Sequence, residues 1–161
     1  MEFDQNKFKE YKALLNTTPI QECYQQVIKL LKFISSRLEE EMTEYHFMKR
    51  LVENQMDFSY FQLTNENLKH KGLKLQVIFL HRTCQFEVWL SGYNRNIQKN
   101  YYEKLQDNDF PFTSCRNPLK NDYILKKNIE KNITEDNIEA IILEIKQTIR
   151  QLDAFTNNLK T

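Results

Sequence analysis

Glu87 and Trp89 stand two residues apart in QFEVWLSG, and Asn94 and Arg95 follow just beyond the glycine. In an extended chain, residues two apart share a face, so a carboxylate and an indole would emerge side by side. Asn is a good helix cap, and a helix start offers backbone N–H groups to an anion. Arg95 would add a permanent positive charge there. Tyr60 and Tyr93 could bring hydroxyls. These residues point to a small-ligand or anion site at a strand-to-helix corner, residues 87–95, with Glu87, Trp89, Asn94, Arg95 and Tyr60 as its lining. A purely structural role competes: Trp89 packed under a helix, and Glu87 paired with a nearby Arg or Lys. Half-buried acids are most often paired in that way.

Other chemistry has less support. His81 and Arg82 end an apolar run, but His46 and His70 stand at no ligand spacing to His81. Cys84 lies near Arg82 without a Cys/His/Asn order around it. Glycine-rich phosphate loops, GxSxG, HExxH and EF-hand spacing do not occur, and no cofactor is called for. Lys99, Tyr101, Tyr102 and Lys104 could stack on and neutralise a nucleic-acid strand. Lys69-His70-Lys71 and Lys126-Lys127 are short basic clusters. Yet Lys plus Arg number 23 against 22 Asp plus Glu, a net charge of +1. That balance removes the electrostatic ground for a nucleic-acid partner, and solvated helix and turn faces are the plainer reading.

The elements that must position the corner can be read from periodicity. Residues 3–15 place Phe8, Tyr11, Leu14 and Leu15 at helical spacing. Thr18-Pro19 with Gln21 reads as a capped restart. A helix then runs to about Met42 with Ile20, Tyr24, Val27, Leu31, Ile34 and Leu38 on one stripe. Residues 43–54 are ambiguous, with a short helical segment as one reading. MDFSYFQLT from Met56 reads as a strand, and 65–72 as a polar turn ended by Gly72. Residues 73–82 and 85–92 read as two more strands, the second alternating Phe86, Val88, Leu90 against Gln85, Glu87, Trp89. Asn94 caps a helix over 95–106, residues 107–121 read as a loop, and 122–127 as a fourth strand. Thr134 is expected to cap a long helix striped by Ile138, Ile141, Ile142, Ile145, Ile149, Leu152 and Phe155.

The expected fold class is therefore α+β: a single domain over 1–161, in the order ααβββαβα. A three-strand antiparallel meander and a fourth strand carry long helices packed on the sheet, and the helix stripes are expected to be core. A content of 40% hydrophobic residues is too high for a disordered chain. An odd count of three cysteines without CxxC spacing argues for reduced thiols and a cytoplasmic protein. The N-terminus lacks a secretory h-region, and no apolar run is long enough for a membrane span. The last helix could pair with a second copy in a homodimer, although a chain's own core uses the same pattern.

The strings MDFSYF, LKLQVIFLH and FEVWLSGYNRNIQKNYY, with FKEYKALL and the long helix after it, resemble a family of small, uncharacterised bacterial proteins classed as a domain of unknown function. The resemblance implies a stand-alone cytoplasmic protein and brings no activity or ligand. In topology alone the chain is also similar to restriction-endonuclease-like nucleases, which hold a divalent metal with acids on neighbouring strands. Here Glu87-Val88-Trp89 stands where acid-x-Lys would be, and residues 73–82 contain no acid. Asp57 and Glu87 would have to be the metal ligands of a divergent, inactive member.

Overall fold

A computed structural model of the chain describes residues 1–105 and 110–158. Two helices lead, α1 (Gln5–Thr17) and α2 (Ile20–Glu41). Short strands β1 (His46–Phe47) and β2 (Val52–Asn54) precede β3 (Phe58–Thr64), a one-turn helix α3 (Glu66–His70), β4 (Leu73–Leu80) and β5 (Gln85–Gly92). Helix α4 (Arg95–Leu105), β6 (Thr113–Ser114), β7 (Leu125–Asn128), a 3₁₀ turn (Glu135–Asn137) and α5 (Ile138–Asn157) follow. The sheet runs β1–β3–β4–β5–β7–β6, with β2 also paired to β3, and every pairing is antiparallel. The α+β class and the β3–β4–β5 meander with a further strand are as the periodicity predicts.

Pairing sorts the side chains onto two unlike faces. Phe61 and Leu63, Leu75, Val77 and Phe79, and Phe86, Val88 and Leu90 share one face. Leu31, Ile34 and Leu38 of α2 and Ile141, Ile145, Ile149 and Leu152 of α5 pack there, in one continuous core. Burying a side chain of this size stabilises by about 1.5–3 kcal/mol, so this face holds the helices. The stripe of α5 is consumed by the chain's own core. Among the described residues, every buried apolar helix side chain joins this cluster, whereas Ile78 and Trp89 on the opposite face are buried outside it.

Several local expectations are corrected. Residues 43–54 are no helix: β1 and β2 pair with opposite ends of β3 and cover an edge that would otherwise stay open. The 65–72 segment contains α3, whose N-cap Asn65 accepts a hydrogen bond from Leu68 N–H at 2.8 Å. Thr18 does not cap α2; its hydroxyl donates back to the Leu14 carbonyl at 2.6 Å, closing α1 instead. Thr134 precedes the 3₁₀ turn and makes no side-chain cap bond. The strand expected from Met56 begins at Phe58, and that expected from 122 begins at Leu125. Gln106 and residues 107–109 of the expected helix end and loop lie outside the described residues.

The largest correction concerns α1. No residue of this helix is buried, and Phe8, Tyr11, Leu14 and Leu15 stay 40–58% exposed. Its periodicity makes a helix without making core. With glycine scarce, other residues take left-handed backbone: Gln55 (φ 50°) and Met56 (φ 63°) form the β2–β3 turn, closed by Asp57 N–H to the Asn54 carbonyl at 2.9 Å. Two left-handed central residues define the hairpin turn that Asn-Gly suits best.

Three outcomes are expected in urea unfolding. Ile145→Ala costs about 2–5 kcal/mol, as for buried aliphatic truncation, while Leu14→Ala costs less than about 0.5 kcal/mol, as for an exposed site. Replacing Gln55-Met56 by Asn-Gly stabilises by about 1 kcal/mol, because both positions need φ above zero.

Candidate functional site

The pairs Lys74–Ser91, Gln76–Trp89 and Ile78–Glu87 place these side chains on the face opposite the helices. Tyr60 joins them opposite Ile78, and Lys126 opposite Trp89. Glu87 and Trp89 thus share a face, as their spacing requires. The indole lies against other rings: Phe58 at 5.4 Å and Tyr123 at 5.1 Å between centroids. Its N–H donates to Glu87 Oε2 at 2.6 Å, and Lys126 Nζ donates to Oε1 at 2.7 Å. The Lys126 ammonium also sits 5.3 Å from the Tyr123 ring centroid. Glu87 is only 4% exposed with both oxygens engaged. It anchors the site from behind Trp89 and does not line the cleft.

That cleft opens alongside. It encloses about 420 Å³ and is lined by Tyr60, Lys74, Gln76, Ser91, Arg95 and Asp122, with Gly92, Tyr93, Asn94 and Gln98 at its end. A second concavity of about 280 Å³ over Val52, Asn54, Phe58 and Trp89 shares Tyr60, Gln76 and Asp122 with it. Of the residues expected from sequence, Tyr60 lines both, Asn94 and Arg95 the first, and Trp89 the second.

The rim is built by its own contacts. Asn94 Oδ1 accepts from Ile97 N–H at 2.9 Å, capping α4. Arg95 reaches across to the 117–123 segment, meeting Asp122 Oδ1 at 2.6 Å and the Asn121 carbonyl. Gln98 holds the same carbonyl. Helix α4 can start this close to β5 only because residue 92 is glycine: a Cβ there would lie 2.8 Å from Gln98 N. On the floor, Ser91 Oγ lies 2.7 Å from Gln76 Oε1 and 2.8 Å from the Asp122 carbonyl oxygen. Gln76 therefore presents its amide N–H₂ without a protein partner among the described residues.

Lys74 is the exception on this floor. Its side chain is half-buried, and among the described residues no carboxylate comes within salt-bridge distance. Burial pushes its ammonium below the usual lysine range, an effect that the more distant Asp122 only partly reverses. Sequence reasoning missed Lys74, Gln76, Ser91 and Asp122. The alternation Leu73-Lys74-Leu75-Gln76 carried the signal for the first two, since it sets them on the face opposite the apolar residues.

Other candidates separate. Asp57 sits before β3 on the parity of Ser59, so its face is opposite that of Glu87. Three residues along and two strands across put the pair about 14 Å apart at ordinary strand spacings. Among the described residues, no group of three or more His, Cys, Asp or Glu is placed to hold a metal. His81 Nε2 lies 2.9 Å from Ser59 Oγ with its ring stacked on Tyr24, but Ser59 is fully buried and out of any substrate's reach. Tyr101 belongs to the core and offers no stacking surface. Lys71 of the first basic cluster donates to the Thr156 carbonyl at 2.7 Å and closes the end of α5.

A family model matches residues 3–159, nearly the whole chain. The chain belongs to the family described as Domain of unknown function (DUF7000). No curated protein and no solved structure matches it. All residues of the cleft fall within the DUF7000 span, so the site is part of that domain. Among the described residues, no helix is long and apolar enough to cross a membrane.

The Glu87 pair gives a test by denaturation. Lys126→Met leaves a buried carboxylate with only the indole N–H, and is expected to cost about 3 kcal/mol. Adding Glu87→Gln to that variant is expected to recover more than half of the loss, because the uncompensated charge is gone.

Proposed function

We propose that this DUF7000 domain is a binding module for a small anion, held in the cleft between β3, β4, β5 and the start of α4. One observation carries the reading: half-buried Lys74 lies on the cleft floor with no carboxylate at salt-bridge distance among the described residues. An ion taken out of water without a counter-charge costs several kcal/mol or shifts its pKa. A ligand carboxylate would supply that counter-charge. The Tyr60 hydroxyl and the Gln76 amide stand on the same lining as further donors, and Arg95 with Asn94 forms the wall. Ser91 Oγ, the hydroxyl across from Lys74, has Gln76 Oε1 and the Asp122 carbonyl oxygen as its hydrogen-bond partners and no base among the described residues, which supports binding over catalysis.

The divergent nuclease reading has no comparable observation, because its two acids stand on opposite faces. A place in the cytoplasm as a single domain fits the three unpaired thiols and the continuous core.

The charge of Lys74 fixes the sign of the pH effect. A lysine whose proton is held less tightly in the folded state gives the unfolded chain more bound protons below the usual lysine value of 10.5. Its cost to stability is therefore full at neutral pH and fades as pH rises toward that value. Lys74→Met is expected to raise the urea midpoint at pH 7 and to leave it unchanged at pH values above the lysine range. In the native protein, acetate should shift amide resonances of residues 74, 76 and 91 with millimolar affinity, and more weakly as pH rises. In Lys74→Met those shifts should fall at least tenfold. Equal acetate binding by the variant, or no response in the native chain, refutes the anion site.

A further inference from the structure

Resting on that anion site, we propose that the ligand is a monoanionic aromatic acid, a planar ring carrying one carboxylate, with the carboxylate at Lys74 and the ring over Phe58 and Trp89. The two concavities have different chemistry and one common wall. The first contains the cations and the polar floor; the second is lined by Val52, Phe58 and Trp89, with amides from Asn54 and Gln76. Tyr60, Gln76 and Asp122 belong to both, so one molecule can occupy the pair. Lys74 and Gln76 are two residues apart on β4, about 7 Å, and Trp89 lies directly opposite Gln76. A ring joined to its carboxylate by two carbons covers that span.

Charge counting selects a monoanion. Arg95 and Asp122 neutralise one another at 2.6 Å. Lys126 and Glu87 do the same at 2.7 Å beneath Trp89. Among the described residues, Lys74 remains as the one uncompensated charge on the lining. A single carboxylate balances it, while a phosphate dianion would bring a second negative charge against Asp122.

The ring end selects an aromatic group. Phe58 lies 5.9 Å from Tyr60 and 5.4 Å from Trp89 between centroids, tilted by 32° and 52°. Phe58 and Tyr60 remain half-buried, with ring surface left for one more aromatic group at tilted-stacking distance. A single-stranded nucleic acid would need several open rings and a row of unpaired cations, and among the described residues the cleft lining provides one such cation, Lys74.

The chain's one tryptophan gives one indole N–H resonance, from a residue that lines the second concavity directly across from the shared Gln76. The experiment titrates the native chain at pH 7 with 3-phenylpropanoate, propionate, 3-phenylpropan-1-ol, 3-phenylpropyl phosphate and an eight-residue oligothymidylate. It follows the Trp89 indole N–H and the Lys74 amide. Expected is binding of 3-phenylpropanoate at least tenfold tighter than each of the others, with both resonances moving. Phe58→Ala should reduce its advantage over propionate to under threefold and leave propionate unchanged; the native-chain ranking stands as a test should that variant not fold. Equal affinity for propionate and 3-phenylpropanoate overturns the aromatic class while leaving the anion site intact. Equal affinity for the alcohol, or no binding of any carboxylate, overturns both. Tighter binding of the phosphate or the oligothymidylate overturns the monoanionic class.

Discussion

Glu87 is a carboxylate in the middle of a central strand, and its burial restricts how that strand can pair. Both oxygens are satisfied only when the Trp89 indole lies beside it and Lys126 reaches over from β7. A slip of one residue between β4 and β5 would drive Glu87 and Trp89 into the helices and expose Phe86, Val88 and Leu90. A carboxylate inside that core would lose its partners at a cost of several kcal/mol. The apolar residues and the acid therefore specify the same register from opposite faces. Agreement of that kind between a packing term and a polar term is what makes one native pairing stand clear of its alternatives.

The sheet is consequently two-sided in more than composition. One face has α2 and α5 to cover it; the other covers itself with Phe58, Tyr60, Trp89 and Tyr123 and with the 117–123 segment held by Arg95 and Gln98. Side chains make a less complete cover than a helix, and the gaps they leave are the two joined concavities. Gly92 sets the outer end, since α4 could not begin there behind a Cβ. The cleft thus follows from where helices are absent and from one close backbone approach, with little contribution from loops.

The strands and the long helices were legible because their periodicities are set by burial on one side, as in Phe86, Val88 and Leu90 or in the stripe of α5. What was not legible depended on distant partners. Lys126 reads as one of two adjacent surface lysines, and only the β5–β7 pairing, 39 residues away in sequence, puts it on Glu87. β1 and β2 are two and three residues long and exist because β3 offers an edge; nothing in their own sequence outweighs a helical reading. The stripe of α1 shows the converse: Phe8, Tyr11, Leu14 and Leu15 have the period of a buried helix and remain exposed. Periodicity reports which residues lie together on a helix, and cannot report whether another element is there to meet them. Of the candidate site, Tyr60, Asn94 and Arg95 were found from residue type and position; Lys74 was not, because a lysine on an alternating strand normally faces water.

Lys74 and Lys126 make an internal comparison on one sheet face. Both stand on strands of that face, Lys74 on β4 and Lys126 on β7. Lys126 ends on a carboxylate at 2.7 Å, and its partner is supplied by the fold. Lys74 ends in a polar cleft with no such partner among the described residues, and its burial weakens its hold on a proton. If Lys74 served only to solubilise an outer surface, it would need no burial. If it served only to stabilise the sheet, a carboxylate at the Ser91 position across from it would do so, and a serine stands there instead. A half-buried charge without a counterpart among the described residues fits the proposed anion, which would reach it from solution through the cleft.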